Sequence, residues 1–206
     1  MQVLFVHGMG RTGLSGLPML RRLKKAGIST SRFDYFVSQR SFEQIRERLQ
    51  DRIDLLASLG DYILIGHSLG GVLIRAALQA HTPTRVPSHV FLLGSPFGAS
   101  RIARHLEENP LFRLLTRDCG HLLGSAERMA AIGPCLVPTT VIAGTREFAL
   151  TRSLFAGVPN DGVVAVDEAR HPGAKDLIIV DILHTWLPSS HQVANIILDR
   201  VNQSSA

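Results

Sequence analysis

Tyr62-Ile63-Leu64-Ile65-Gly66-His67-Ser68-Leu69-Gly70-Gly71-Val72 carries three structural signals in one continuous stretch. The apolar run at its start reads as a strand buried on both faces, and Val72-Leu73-Ile74 reads as the opening of a helix. Between them stands G-x-S-x-G. A serine on so sharp a strand-to-helix turn projects its hydroxyl from the sheet edge, and the strained backbone requires that the residues two before and two after lack a Cβ. Gly66 and Gly70 meet that need. Backbone N–H groups at the helix start are left unpaired beside the serine, where an oxyanion could develop. Ser68 is therefore expected to be a nucleophile. His67 is expected to point away across the turn and pack under it.

The same kind of apolar run recurs along the chain. Expected strands are 2–6, 33–37, 61–65, 89–93, 139–143 and 176–181, and expected helices are 16–26, 41–59, 69–80 and 189–201. The clearest helix spaces Phe42, Ile45, Leu49, Ile53 and Leu56 at three and four residues behind a Ser41-x-x-Gln44 capping box and stops at Gly60. Alternating strands and helices predict an α/β fold with a mostly parallel central sheet flanked by helices. Residues 97–135 break the rhythm with short helical patches around 102–106 and 111–115. They are expected to form a small helical cap inserted in a single domain spanning 1–206. The tail from Asn202 is expected to fray.

With 206 residues, 45% of them hydrophobic, the chain can bury a sizeable core without disulfides or metal. Cys119 and Cys135 have neither CxxC nor zinc-finger spacing, so a structural metal site has no support and both read as reduced apolar side chains. The net charge of +5 is local: residues 1–50 hold nine Lys/Arg against three Asp/Glu, a net of +6, leaving −1 for the rest. Arg21, Arg22, Lys24 and Lys25 form a solvated helix face without aromatic interleaving, so no nucleic-acid partner is expected. Neither a secretory signal nor a span of roughly 20 apolar residues is visible, which predicts a cytoplasmic protein without stable membrane insertion. Oligomeric state has no signature in the sequence.

Leu4-Phe5-Val6-His7-Gly8-Met9-Gly10 is a second motif, directly after the first strand. It does not complete G-x-G-x-x-G, because Gly8, Gly10 and Gly13 are followed by Leu14 and Ser15. The alternative is an oxyanion loop. Here the chain resembles the α/β-hydrolase family, and within it the lipase-like serine hydrolases, which carry V-H-G-M after the first core strand and G-H-S-L-G-G at the nucleophile. The resemblance implies that the N–H groups of Met9 and Leu69 form the oxyanion hole and that His7 braces the loop. It also implies the triad order serine, acid, histidine.

Pro159-Asn160-Asp161-Gly162-Val163-Val164 is similar to the family's acid segment, and Asn-Asp-Gly also favours a tight turn, so Asp161 is the expected acid. Asp167, Glu168 and Asp181 are the alternatives. Downstream histidines are His171, in a Pro-Gly loop, His191, behind a Ser189-x-x-Gln192 capping box, and His184, which leads into Thr185-Trp186-Leu187-Pro188. His184 is the expected base, on its placement and on resemblance to the family's segment. Trp186 walls the substrate pocket or fills the core.

These expectations combine into a serine carboxylic-ester hydrolase, lipase- or esterase-like, acting on a small-molecule ester or lipid through an acyl-enzyme. A non-catalytic scaffold that binds a small lipid or protein is the alternative from another class; acyl transfer or thioester cleavage would use the same residues. Leu111 and Phe112, in the insertion, are expected to bind a medium or longer acyl chain. Since the charges of residues 97–135 come to only +1, lipid contact there should be mainly hydrophobic.

Overall fold

A six-stranded parallel sheet organises residues 1–204, the part of the chain that the computed structural model describes. Its strands are β1 (Gln2–Val6), β2 (Ser29–Phe33), β3 (Tyr62–His67), β4 (His89–Leu93), β5 (Thr139–Gly144) and β6 (Asp176–Val180), in the order β2-β1-β3-β4-β5-β6. The chain builds outward from β1 in one direction, then returns to β3 and builds in the other. Such a reversal opens a crevice above the C-terminal ends of the two central strands, where α/β sheets bind ligands. Val6 pairs with Gly66, so the loop after β1 and the turn after β3 leave the sheet side by side.

Alternation along β1 feeds both faces. Val3 and Phe5 pack with Met19, Leu23, Val193 and Ile197 of α1 (Leu17–Lys25) and α8 (His191–Ser204). Leu4 and Val6 pack with Ile45, Leu49, Val72 and Leu73 of α2 (Phe42–Leu59) and α3 (Leu69–Ala80). At the start of α2 the expected capping box is present: Gln44 N–H donates to Ser41 Oγ at 3.3 Å and Ser41 N–H to Gln44 Oε1 at 3.1 Å.

The expected strand at 33–37 is displaced: β2 ends at Phe33. Phe33, Tyr35 and Val37 are buried while Asp34 and Phe36 are exposed, so the alternation is real. But β1 ends at Val6, opposite Phe33, and offers no backbone partner beyond it. Tyr35 N–H donates instead to His7 Nε2 at 3.2 Å. The paired residues Ser29–Arg32 are polar because β2 is a sheet edge and stays largely in solvent. At the other end of the chain, α8 begins at His191, after a 3₁₀ segment over His184–Ser189. Ser190 Oγ, rather than Ser189 Oγ, accepts from its first turn, through Val193 N–H at 3.4 Å. The helix continues to Ser204, so 202–204 are helical where fraying was expected, and 205–206 lie outside the described residues.

Residues 97–135 contain α4 (Arg101–Leu106), α5 (Pro110–Gly124) and α6 (Ala126–Ile132). Arg117 breaks α5 with φ 45° and ψ −132°. Beyond the break Cys119, Leu122, Leu123, Met129 and Ile132 are buried in the core beside α2 and α3. Before it Leu111, Leu114 and Leu115 stay 62%, 66% and 55% exposed. The insertion's exposed leucines therefore lie before the break, although Ala103 and Phe112 there still pack on the core. Both of its feet are held by Arg75 of α3, a fully buried guanidinium. Its Nη1 donates to Pro96 O at 3.1 Å and Phe97 O at 3.3 Å, and its Nη2 to Gly133 O at 2.8 Å. Phe97 stacks on it at 4.4 Å. Burial lowers its pKa to about 10, which leaves it charged at neutral pH. Among the described residues no helix is long and apolar enough to cross a membrane.

Candidate active site

Ser68 has φ 53° and ψ −123°, a region that L-residues rarely occupy and that marks stored strain. The strain is held by packing. A Cβ on Gly66 would lie 2.4 Å from Gly71 Cα, and one on Gly70 would lie 2.2 Å from Val6 O, so bare backbones let α3 close onto the ends of β3 and β1. Ser68 N–H donates to Leu93 O at 2.9 Å, and its half-buried side chain sits at the crevice. Leu69 N–H, in the first turn of α3, lies beyond the reach of the helix's own carbonyls.

Gly8 of the loop after β1 lies directly against this turn, its Cβ position 3.0 Å from both Ser68 Cβ and His67 Nδ1. The Gly8 carbonyl accepts from His7 Nδ1 at 2.8 Å and from Arg11 N–H at 3.3 Å. Because the peptide is trans, the Met9 N–H points opposite to that anchored carbonyl. His7 is buried, stacks on Tyr35 at 4.2 Å, and has a pKa lowered by desolvation, so it is a neutral brace for the loop. Tyr35 hydroxyl donates to His7 O at 2.7 Å from beyond β2.

Asp161 and His184 meet at the same edge. Asp161 is buried; its Oδ1 accepts Val163 N–H at 3.0 Å and Val164 N–H at 2.7 Å, and its Oδ2 accepts from His184 Nδ1 at 2.8 Å. The Asn160-Asp161-Gly162 turn supports this, with Gly162 N–H donating to Asn160 Oδ1 at 3.0 Å. His184 N–H donates to Asp161 O at 2.9 Å, so backbone and side chain are tied to the same residue. Among the described residues no hydrogen bond joins Ser68 to His184; such bonds commonly tighten only when substrate is bound.

The other candidates have separate partners. On the short helix α7 (Val166–Ala169), Asp167 forms a bidentate pair with Arg101 at 2.8 Å and Glu168 accepts Ala165 N–H at 2.7 Å and Arg101 N–H at 2.6 Å, while exposed Asp181 pairs with Arg146 at 2.8 Å. His171 Nε2 accepts Cys135 N–H at 2.9 Å, with its pKa lowered to about 4 by burial, and His191 is exposed at the start of α8. His67 does more than pack beneath the turn, since it donates through Nε2 to His184 O at 3.0 Å. Two glycines escaped the sequence reading. A Cβ on Gly94 would lie 2.8 Å from Asp161 Oδ2 and 3.0 Å from His184 Nδ1, and one on Gly144 2.7 Å from Asp161 Cβ. Their available signal was that each sits at the C-terminal end of an apolar strand run, at Leu93-Gly94 and Ala143-Gly144.

A groove of about 700 Å³ runs from His7 and Tyr35 along Arg11, Leu14, Phe36 and Leu115. Leu115 is the insertion residue that lines it. Phe112 borders a separate cavity of about 530 Å³ with Glu107, Arg113 and Asp118, while Leu111 lines neither. Trp186 is 60% exposed, so it does not fill the core. Among the described residues no group of three or more His, Cys, Asp or Glu side chains could hold a metal ion.

No family model and no curated protein matches the sequence. Solved structures do match in fold. The mature form of Bacillus licheniformis lipase BlEst2 aligns with TM-score 0.82 and 18% identity over 97% of this chain and 91% of its own. Phospholipase PlaB from Legionella pneumophila aligns at 0.65 and 19% over 82% of this chain and 46% of its own. Tomato Methylketone Synthase I, complexed with 2-tridecanone, aligns at 0.65 and 14% over 98% of both chains. With its parallel sheet flanked by helices, the chain has the α/β-hydrolase fold.

Proposed function

We propose that this chain is a serine carboxylic-ester hydrolase of the lipase or esterase type. The observation that carries this reading is the buried 2.8 Å hydrogen bond between Asp161 Oδ2 and His184 Nδ1, at the sheet edge that also bears the strained Ser68. Asp161 accepts from Nδ1–H, which leaves Nε2 as the proton acceptor. His184 Nε2 takes the Ser68 proton as Oγ attacks the ester carbonyl, and the Met9 and Leu69 N–H groups receive the oxyanion. Collapse of the tetrahedral intermediate expels the alcohol, protonated by His184, and leaves an acyl-Ser68. Water, deprotonated by His184, then attacks the acyl carbon; collapse of this second intermediate breaks the bond to Ser68 Oγ, which takes the proton back from His184 as the acid leaves. The scheme uses no metal or cofactor. The substrate is a small-molecule ester or lipid whose acyl chain follows the groove along Leu14, Phe36 and Leu115, a volume in the range of small-ligand sites.

Labelling by a fluorophosphonate probe tests the nucleophile, and p-nitrophenyl esters from acetate to palmitate test the chemistry. Wild type should label at Ser68 and release nitrophenol. Ser68→Ala and His184→Ala should each lower turnover by several orders of magnitude while the fold survives. Wild-type turnover in Ser68→Ala, free of contaminating esterase, would remove the proposal.

A further inference from the structure

We infer that His67 is a positioning residue that holds the His184 imidazole in its working orientation; this rests on the reading of His184 as the base. His67 touches three parts of the site. It immediately precedes Ser68, its Nδ1 lies against Gly8 of the loop after β1, and its Nε2 donates to His184 O at 3.0 Å. The His184 backbone is thereby held at both ends, its N–H by Asp161 O at 2.9 Å and its carbonyl by His67. The two rings also pack at 4.7 Å and 41°, so the His67 ring restricts rotation of the His184 side chain.

The hydrogen-bond pattern defines the His67 tautomer. A carbonyl can only accept, so Nε2 carries the proton and Nδ1 is a bare lone pair. That Nδ1 is buried without a hydrogen-bond partner among the described residues. An unmet acceptor costs stability that an apolar side chain of similar size would not incur, so the imidazole's contribution lies in the Nε2 bond. Protonation of His67 is opposed by burial first, then by His184, Arg11 and His7, with only the His184 carbonyl favouring it. Asp161, the acid of the site, is engaged by His184 and the Val163 and Val164 N–H groups. A neutral His67 places no second positive charge beside His184 as it accepts the serine proton.

The test replaces the donor and then restores it. Gln Nε2 extends about as far as imidazole Nε2, whereas Leu keeps bulk without a donor. His67→Leu should slow fluorophosphonate labelling and kcat by about 30-fold with KM within about twofold, the signature of a misplaced base rather than lost binding. His67→Gln should recover to within about threefold. A readout independent of turnover is the downfield proton resonance of His184 Nδ1–H, assigned by its loss in His184→Ala and Asp161→Asn; it should persist in His67→Gln and broaden in His67→Leu. If His67→Leu does not fold, His67→Asn, too short to reach the carbonyl, should give the same losses. Equal impairment in the Gln and Leu variants would reduce His67 to packing and overturn the inference, as would wild-type labelling and resonance in His67→Leu. An unlabelled wild type would instead remove the proposed hydrolase, and the resonance would still decide the role of His67.

Discussion

Gly94 follows β4 with φ +51°, against the pair formed by Asp161 and His184. Gly94→Ala would place a methyl 2.8 Å from Asp161 Oδ2 in a conformation that costs an L-residue about 1–2 kcal/mol. Stability should fall by roughly that amount or somewhat more, and ester turnover by about 100-fold, because the carboxylate and the imidazole must move apart. Near-normal turnover in a folded variant would show that the pair tolerates displacement. Asp161→Asn is the complementary change. Its Oδ1 can still accept from Val163 and Val164, but an amide N–H2 would face His184 Nδ1 and force the other tautomer, removing Nε2 as acceptor. Turnover should drop by about 10³–10⁴-fold with little change in melting temperature. The opposite result, early melting with wild-type kcat, would make Asp161 purely a turn residue.

Within α5 the chain divides at Arg117 into a half whose apolar side chains are buried and a half whose leucines stay in solvent. In the proposed acyl site the contrast to measure is Leu115, which lines the groove, against Leu111, which does not. Leu115→Ser removes about 1–2 kcal/mol of apolar contact and should raise KM for decanoate or longer esters about tenfold while acetate is unaffected. Leu111→Ser should change both substrates equally or neither; a stronger effect from Leu111 would relocate the chain. Arg75 acts at the base of the same segment, where one cation serves carbonyls from both feet. Arg75→Met leaves those carbonyls without their donor and should cost about 3 kcal/mol in urea unfolding.

Across the whole molecule the buried histidines give the stability a direction with pH. Burial lowers the pKa of His7, His67, His89 and His171 in the folded chain, His171 from 6.5 to about 4. In the interval between those values the unfolded chain binds more protons than the folded one. Stability is therefore full above about pH 6.5 and falls as pH drops toward about 4. Urea midpoints at about pH 7.5, 6 and 5 should decrease in that order. His171→Asn should lower the midpoint at neutral pH, because Cys135 N–H loses its acceptor geometry, yet flatten the decline. An unchanged slope would exclude His171 as a source of the acid sensitivity.

The parallel α/β architecture was legible because its signals are local. A strand covered on both faces is a continuous apolar run, as in Tyr62–Ile65, and an amphipathic helix carries its own caps, as at Ser41 and Gln44. Ser68, Asp161 and His184 were readable as candidates for the same reason: each sits in a short turn pattern that reports backbone shape. Other features depend on which distant segments meet. The alternation at Phe33, Tyr35 and Val37 has a strand's period, but only the end of β1 at Val6 decides that Tyr35 bonds to His7 instead of to a neighbouring strand. Gly94 beneath the Asp161–His184 pair, His67 beneath the His184 carbonyl, and Leu115 rather than Leu111 in the groove are likewise tertiary outcomes. The sequence by itself determined the period and punctuation of each element. The three-dimensional packing alone decided which side chain answers which polar group, because a hydrogen bond or a contact across 23 or 117 residues leaves no mark on the pattern of either segment.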